Sequence, residues 1–473
     1  MPAPAAASLV PGQRLELSVS GLSHDGQGVV RHGDQVLFVA GALPSETVRL
    51  RLQHRARRHW LAELEAVLEP SPQRRRPACI LAERCGGCSV QHWQDNAQRD
   101  WKRSKVIETL QRIGRLPDLE ARVAGTIAGA PLAYRNRAIL PLERRADGSL
   151  RLGYYRRGSH SIVNLNHCPV LDPRLDALIA PLKHDLEHSG WPVDRHLSAG
   201  GGLRHLALRI GHHSGQLLLT LVSSHADLPG LQAIAERWLQ RWPELVGVCL
   251  NIQDQPTNTL MGPRTIVIAG RDAVQERFAG LDFSIGADTF FQVNTPQAEA
   301  VVPLLLQALE DQPPGRLIDA YCGIGTYGLP LAAAGWQVLG LELTAASVAM
   351  ARRNANANGL EQRCRFEAGP VAELLLAELP GCAALFVDPP RKGLEPRALQ
   401  AVLAQPPATL LYLSCDPATL ARDLAALAGE GGPYRLEQVY PIDFFPQTSH
   451  IETLAVLRRL SAAPLPPASP ELP

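Results

Sequence analysis

The chain has 473 residues, 47 Lys+Arg against 46 Asp+Glu for a formal net charge of +1, and 45% hydrophobic and 20% charged residues. This composition excludes a disordered or uniformly basic protein, and the length suggests about three domains, each long enough to bury a core without disulfides. No apolar run approaches the ~18 residues of a membrane helix, and no basic n-region with an apolar core opens the chain, so a soluble cytoplasmic protein is expected.

Residues 8–69 read as a small all-β unit. The stretches Gln13–Ser20, Gly28–Arg31, Gln35–Val39, Glu46–Gln53 and Trp60–Leu68 alternate apolar and polar residues, with turn clusters such as His24-Asp25-Gly26 and His32-Gly33-Asp34 between them. Five short strands in this space predict an OB-like barrel, an architecture that often binds oligonucleotides. Arg49 to Arg58 carries five arginines and no acid, a pattern that also suits a solvated edge strand.

A Pro- and Arg-rich boundary, Ser71 to Pro77, opens a central region, 70–280. It holds a cysteine cluster, a helix over Gln94–Ile113, a mostly strand-like stretch from Tyr134 to about Val267, and helices near Arg174–His188 and Leu231–Arg241. A mixed, mainly antiparallel α+β domain is expected. Over 281–460 strands alternate with helices: Arg316–Ala320, Gly328–Ala334, Gln337–Leu341, Ala345–Asn358, Ala384–Asp388, Pro396–Ala404, Leu410–Ser414 and Pro417–Ala428. That alternation predicts a parallel, doubly wound, Rossmann-like α/β sheet. The tail 461–473 has five prolines and reads as disordered.

The near-zero net charge hides a segregation. Residues 49–160 hold 23 Lys+Arg against 11 Asp+Glu, a balance of +12, which leaves 24 against 35, a balance of −11, for the rest. Phosphate contacts depend on local charge, so a nucleic-acid partner stays open.

Three motifs fall at strand ends of the α/β region. The turn Asp319-Ala320-Tyr321-Cys322-Gly323-Ile324-Gly325-Thr326-Tyr327-Gly328 follows the first strand, where open α/β sheets bind cofactors, and Glu342 ends the next strand, where an acid can accept from both ribose hydroxyls. A dinucleotide fits that pattern alone, but Asp319-x-x-Cys322-Gly323-x-Gly325 looks like the S-adenosylmethionine motif of class I methyltransferases. Asp388-Pro389-Pro390-Arg391 brings a carboxylate to the same rim. The arginine stands where amino-methylating enzymes usually have an aromatic, which counts against N-methylation. Ser414-Cys415-Asp416-Pro417 ends a third strand, ahead of a helix whose N-terminus is expected to favour the thiolate. His450-Ile451-Glu452 follows.

A thiol with a carboxylate suits methylation at a carbon that is a poor nucleophile, such as C5 of uracil. A thiolate added to C6 makes C5 an enolate carbon, and a base later removes the C5 proton so that the thiolate can leave. Cys415 and Glu452 suit those roles, on a base flipped out of its RNA. Cys79-x5-Cys85-x2-Cys88, with the remote Cys168, has a metal-ligating composition, and its spacing leaves zinc and iron–sulfur open.

Together these motifs resemble the RNA 5-methyluridine methyltransferases, class I enzymes acting on C5 of uridine, over nearly the whole chain. The resemblance implies Cys415 as nucleophile and Glu452 as general base. It implies S-adenosylmethionine held by Gln292 (in Phe290-Phe291-Gln292-Val293-Asn294), Tyr321, Thr326, Glu342 and Asp388. The family often has Asn where Thr326 stands, and Gly369 replaces a family Asn whose side chain glycine cannot supply. It further implies a TRAM domain for the barrel and a 4Fe–4S cluster on Cys79, Cys85, Cys88 and Cys168, structural or helping to hold RNA. The barrel and cluster together resemble members acting on 23S ribosomal RNA, with the T loop of transfer RNA as the alternative substrate and a monomer as the expected state. A cytosine-C5 RNA methyltransferase, whose cysteine typically follows proline or threonine, and a non-catalytic RNA-binding factor are the remaining readings.

Overall fold

The computed structural model describes residues 9–197, 200–257 and 259–460. The expected tail, 461–473, and residue 8 lie outside the described residues. Five strands, β1 (Arg14–Leu22), β2 (Gly28–His32), β3 (Gln35–Val39), β4 (Thr47–Arg55) and β5 (Trp60–Glu69), close a barrel in the order β1-β2-β3-β5-β4. Their period-two pattern sends Val30, Leu37, Val48, Leu50 and Trp60 to the interior. The alternate residues of β4 face outward, where Arg49 pairs with Glu16 at 2.8 Å and Arg51 with Glu63. Gly28 has no room for a side chain, because a Cβ there would lie 2.8 Å from that of Ala42.

Helices α1 (Asp95–Arg112) and α2 (Leu119–Arg122) lead to a six-stranded sheet with the order β11-β10-β9-β8-β6-β7. Its strands are β6 (Arg137–Arg144), β7 (Leu150–Leu152), β8 (Leu203–Ile210), β9 (Leu217–Ser223), β10 (Leu245–Ile252) and β11 (Arg264–Gly270). All pairings are antiparallel except β9 with β10. The exception follows from α4 (Leu231–Arg241), a crossover helix between those two strands. Leu178, Leu182 and Leu186 of α3 (Pro173–His188) and Trp238 of α4 share one core with this sheet. Asp172 caps α3 by accepting from the Arg174 amide at 3.0 Å, with proline in the first turn. A hairpin of β12 (Ala273–Phe278) and β13 (Leu281–Gly286) precedes the short α5 (Thr295–Glu299).

After α6 (Val301–Leu309) come β14 (Arg316–Ala320), α7 (Gly328–Ala333), β15 (Gln337–Glu342), α8 (Ala345–Ala357), β16 (Cys364–Ala368), α9 (Val371–Glu378), β17 (Ala384–Val387), α10 (Pro396–Ala404), β18 (Thr409–Ser414), α11 (Pro417–Ala428), β19 (Tyr434–Ile442) and β20 (Glu452–Arg459). The sheet runs β16-β15-β14-β17-β18-β20-β19. The pairings of β14 to β18 are parallel, but β20 runs antiparallel to β18, so the sheet is mixed and not wholly parallel as expected. Strand order reverses on either side of β14, which opens a crevice at the carboxyl ends of β14 and β17.

The chain divides into two units. One takes the residues up to Lys105 with Gly125–Ala300 and Ile442–Ile451; the other takes Val106–Ala124, Val301–Pro441 and the residues from Glu452 onward. Among the described residues no helix is long and apolar enough to cross a membrane.

Candidate active site and cysteine pocket

β14 delivers its carboxyl end into a turn with three residues in the left-handed region: Tyr321 at φ 69°, Gly323 at 56° and Gly325 at 84°. Glycine adopts this conformation without strain, whereas Tyr321 must be held in it by its surroundings. A Cβ on Gly328 would stand 2.7 Å from Asp319 Oδ2, so glycine lets α7 start against that carboxylate. Asp319 is 1% exposed and no hydrogen bond of good geometry reaches either oxygen. Burial, and then the charge of Asp388, pushes its pKa up to about 8, with the Gly328 amide opposing.

Glu342, at the end of β15, accepts from the Gly323 amide at 3.2 Å and from the Thr344 amide at 2.9 Å. Its carboxylate is thus oriented by the glycine turn, with lone pairs left for a ligand. Tyr321 has a buried hydroxyl without a partner, and its pKa is pushed up to about 12 by burial and then by Glu395. Thr326 is buried in the same turn. Unsatisfied buried polar groups around a glycine-lined crevice fit a polar cofactor such as S-adenosylmethionine. Gln292 belongs to the other unit, ahead of α5, where its carbonyl accepts from Asn136 Nδ2 at 2.9 Å.

Asp388, Cys415 and Glu452 of the sequence reading come from three strand ends of this sheet. Asp388 follows β17, its amide donating to the Ala320 carbonyl at 3.3 Å, which laces it to the end of β14. Cys415 follows β18. β20 pairs with β18 in a register that ends with Thr453 against Ser414, so Glu452 and Cys415 are the residues that adjoin the last pair of the ladder. Burial raises all three acids: Asp388 to about 7, Glu452 to about 8 through burial and then Asp388, and Cys415 to about 12 through burial and then Glu452 and Asp388. Arg391 opposes the rise at both Cys415 and Glu452.

The expectation that α11 favours a Cys415 thiolate is not met. Asp416 caps that helix, accepting from the Ala418 and Thr419 amides at 2.8 and 3.1 Å, so the first-turn donors are engaged. Burial, and then the carboxyls of Glu452 and Asp388, raise the Cys415 thiol, which disfavours the thiolate.

Two functional features escaped the sequence reading. Arg391 was read as part of a motif and as a departure from amino-methylating enzymes, without a role of its own, yet it opposes the rise at Cys415 and Glu452. Asp423 of α11, fully buried, accepts from Tyr412 Oη at 2.7 Å and the Leu394 amide at 2.9 Å, anchoring the loop that carries Asp388 and Arg391. Its signal was Gly393, where a Cβ would lie 2.6 Å from Asp423 Oδ2.

In the other unit, Cys79, Cys85, Cys88 and Cys168 line one cavity together with Tyr134 and Tyr154. Three of the sulfurs accept hydrogen bonds: Cys79 from the Leu81 amide and Cys85 from the Gly87 amide, both at 3.4 Å, and Cys88 from Gln91 Nε2 at 3.6 Å. Burial and then the neighbouring cysteines push Cys88 up to about 12. Burial also raises Cys168, to about 11. Among the described residues no group of three or more His, Cys, Asp or Glu side chains is gathered tightly enough to count as a metal site, so the sulfurs surround the cavity without closing on a point. Four thiols lining one cavity, three of them accepting N–H···S bonds, are of the donor type that an iron–sulfur cluster takes.

The family described as tRNA (uracil-5-)-methyltransferase matches residues 264–368 and 371–460. An uncharacterized RNA methyltransferase of Parasynechococcus marenigrum is 51% identical over 453 residues, 96% of this chain and 97% of that protein. An uncharacterized RNA methyltransferase of Listeria monocytogenes is 34% identical over 456 residues, 96% and 99% of the two chains. The crystal structure of Pyrococcus abyssi tRNA (uracil-54, C5)-methyltransferase in complex with S-adenosyl-L-homocysteine aligns with a TM-score of 0.74 at 26% identity, covering 93% of this chain and 99% of that one.

Proposed function

The chain belongs to the tRNA (uracil-5-)-methyltransferase family of RNA methyltransferases, and from that premise we propose that it forms 5-methyluridine in RNA through a covalent adduct on Cys415. The observation that carries this is the placing of Cys415 and Glu452 beside the last β18–β20 pair, where Glu452 and then Asp388 add to the rise of the Cys415 thiol.

S-adenosylmethionine, which Tyr321, Thr326, Glu342 and Asp388 would hold, would supply an electrophilic methyl group and leave as S-adenosylhomocysteine. Cys415 Sγ adds to C6 of a flipped uridine after giving up its proton, and the C5=C6 electrons move into an enolate. Asp388, near 7, is partly ionised at neutral pH and its carboxylate takes that proton, which leaves Glu452, whose ionised fraction grows as pH rises through about 8, for the later step. Once C5 carries the methyl group, an ionised Glu452 removes the C5 proton. Those electrons form the C5=C6 bond again as the C6–S bond breaks and Cys415 leaves as thiolate.

A 4Fe–4S cluster would be held by Cys79, Cys85, Cys88 and Cys168 and would cross-link the central region, and the methyl transfer needs no redox step from it. The barrel acts as a TRAM domain on RNA. Barrel and cysteine pocket together favour 23S ribosomal RNA as substrate. The T-loop uridine of transfer RNA is the second reading, favoured by the transfer-RNA substrate named for the Pyrococcus protein.

The test is methyl transfer from labelled S-adenosylmethionine to ribosomal and transfer RNA, with 5-methyluridine mapped in cells lacking the protein. Transfer to ribosomal RNA, lost in Cys415→Ala, is expected. Transfer to transfer RNA alone selects the second reading, and no transfer to either overturns both.

A further inference from the structure

We propose that Gln447 is a positioning residue for Glu452, tying the loop of Cys79, Cys85 and Cys88 to the segment that leads into that carboxylate; the inference rests on the base role proposed above. Gln447 lies in the nine-residue segment 443–451 between β19 and β20, five residues before Glu452. It is fully buried and left-handed, at φ 69°. A side chain other than glycine persists there only when its surroundings over-determine it.

The surroundings do so. Gln447 Oε1 accepts from Arg75 Nη2 and Gln98 Nε2, both at 3.0 Å, and its Nε2 donates to Asp95 Oδ1 at 2.9 Å and the Pro131 carbonyl at 3.3 Å. Its own amide donates to Gln98 Oε1 at 3.2 Å. A purely space-filling role would not saturate an amide in this way. The segment is pinned on both sides of Gln447. Lys102 Nζ, buried on α1, donates to Asp443 Oδ1 at 2.6 Å, and Lys105 Nζ donates to the Ser449 carbonyl at 2.8 Å.

The same residue reaches the cysteine loop. The Gln447 carbonyl accepts from the Ser89 and Val90 amides at 3.0 and 3.1 Å, the two residues after Cys88. Gln91 closes the circuit: its side chain accepts from the Cys79 amide at 2.7 Å and donates to Cys88 Sγ, while its carbonyl accepts from Arg75 Nε at 3.2 Å. Arg75 is the residue that also holds Gln447. Order in the cysteine loop and order in the segment before Glu452 are therefore one network. A general base must sit within hydrogen-bond reach of its proton, and misplacement by about 1 Å costs on the order of 10²-fold.

The experiment is single-turnover methylation of uridine RNA, following the covalent RNA–Cys415 adduct, the release of 5-methyluridine and RNA affinity, with amide hydrogen exchange on the full chain. Removal of the C5 proton follows adduct formation, so a displaced base lets methylated adduct accumulate. Gln447→Ala is expected to form adduct at the wild-type rate, bind RNA within about 2-fold, and release product at least ~10-fold more slowly. Should that variant not fold, Gln98→Ala removes two of the same bonds and leaves those of Asp95 and Arg75. In Cys85→Ser, faster exchange at the Gln447 amide is expected.

Wild-type release in Gln447→Ala, or equal losses of RNA binding and adduct formation, overturns the positioning role. Unchanged exchange at Gln447 in Cys85→Ser overturns the tie to the cysteine loop. Glu452→Gln separates the two readings. If it fails to accumulate adduct, the base assignment itself is wrong. If it accumulates adduct and Gln447→Ala does not, only the present inference falls.

Discussion

Cys415 and the four cysteines of the central pocket use the same functional group under opposite terms. All are partly buried thiols, and burial raises the pKa of Cys85, Cys88, Cys168 and Cys415. For Cys85, Cys88 and Cys168 the neighbours that add to the rise are other thiols, which disfavours a thiolate there until a cation offsets the charge. Around Cys415 the added neighbours are carboxyls whose own pKa values reach about 7 and 8, groups that accept a proton near neutral pH. In the roles proposed for them, one site would wait for a charge and the other for a proton acceptor. What the thiol does is set by which neighbour can relieve its burial.

Substitutions break this comparison at different points. Cys415→Ala is expected to lower methyl transfer by ~10⁴-fold or more while bound iron stays at the wild-type stoichiometry, measured on the same preparation. Loss of iron there would mean the two thiol sites are not separable. Glu452→Gln is expected to cost ~10²- to 10⁴-fold in product release, with the methylated adduct trapped on a denaturing gel. Cys85→Ser is expected to lose iron and several degrees of thermal stability, yet to form adduct once RNA is bound. Abolished adduct formation in a folded Cys85→Ser protein would give the pocket a part in the chemistry.

The acid cluster makes a pH prediction whose two signs oppose each other. Glu452 acts as a base only when ionised, so product release rises with pH through about 8. Its folded pKa lies above the ordinary 4.5, so the stability it contributes is fully present below 4.5 and is lost as pH rises through about 8. Glu452→Gln therefore gains melting temperature over wild type at pH 9 and gains none at pH 4, by calorimetry. The smallest effect is expected from Arg391→Ala. Without that charge Cys415 and Glu452 are both held higher, and the pH profile of product release moves to more alkaline values.

The strand-end motifs were legible because their chemistry is local. Glycines at the end of β14, a carboxylate at the end of β17 and a cysteine at the end of β18 need only the alternation of strands and helices to share a rim. β20 was not legible, because its partner is set by a register 39 residues away in sequence, Thr453 against Ser414, that no periodicity announces. β16 escaped for a different reason: as a half-exposed edge strand, Cys-Arg-Phe-Glu-Ala, it has too little apolar pattern to stand out. The N-terminal dipole at Cys415 misled because Asp416 was read as part of a motif and not as the cap that consumes it. Gln447 carried no sequence signal, since a saturated amide is visible only once Arg75, Asp95 and Gln98 have been brought around it.

The ion pairs on the barrel carry a consequence for the ionic-strength dependence of RNA binding. An arginine already neutralised by a glutamate, as Arg49 is by Glu16 and Arg51 by Glu63, displaces few condensed cations when a phosphate approaches. The slope of log affinity against log salt should therefore fall below what the 23 basic residues of 49–160 suggest. Glu16→Gln would steepen it by releasing Arg49 to the polyanion.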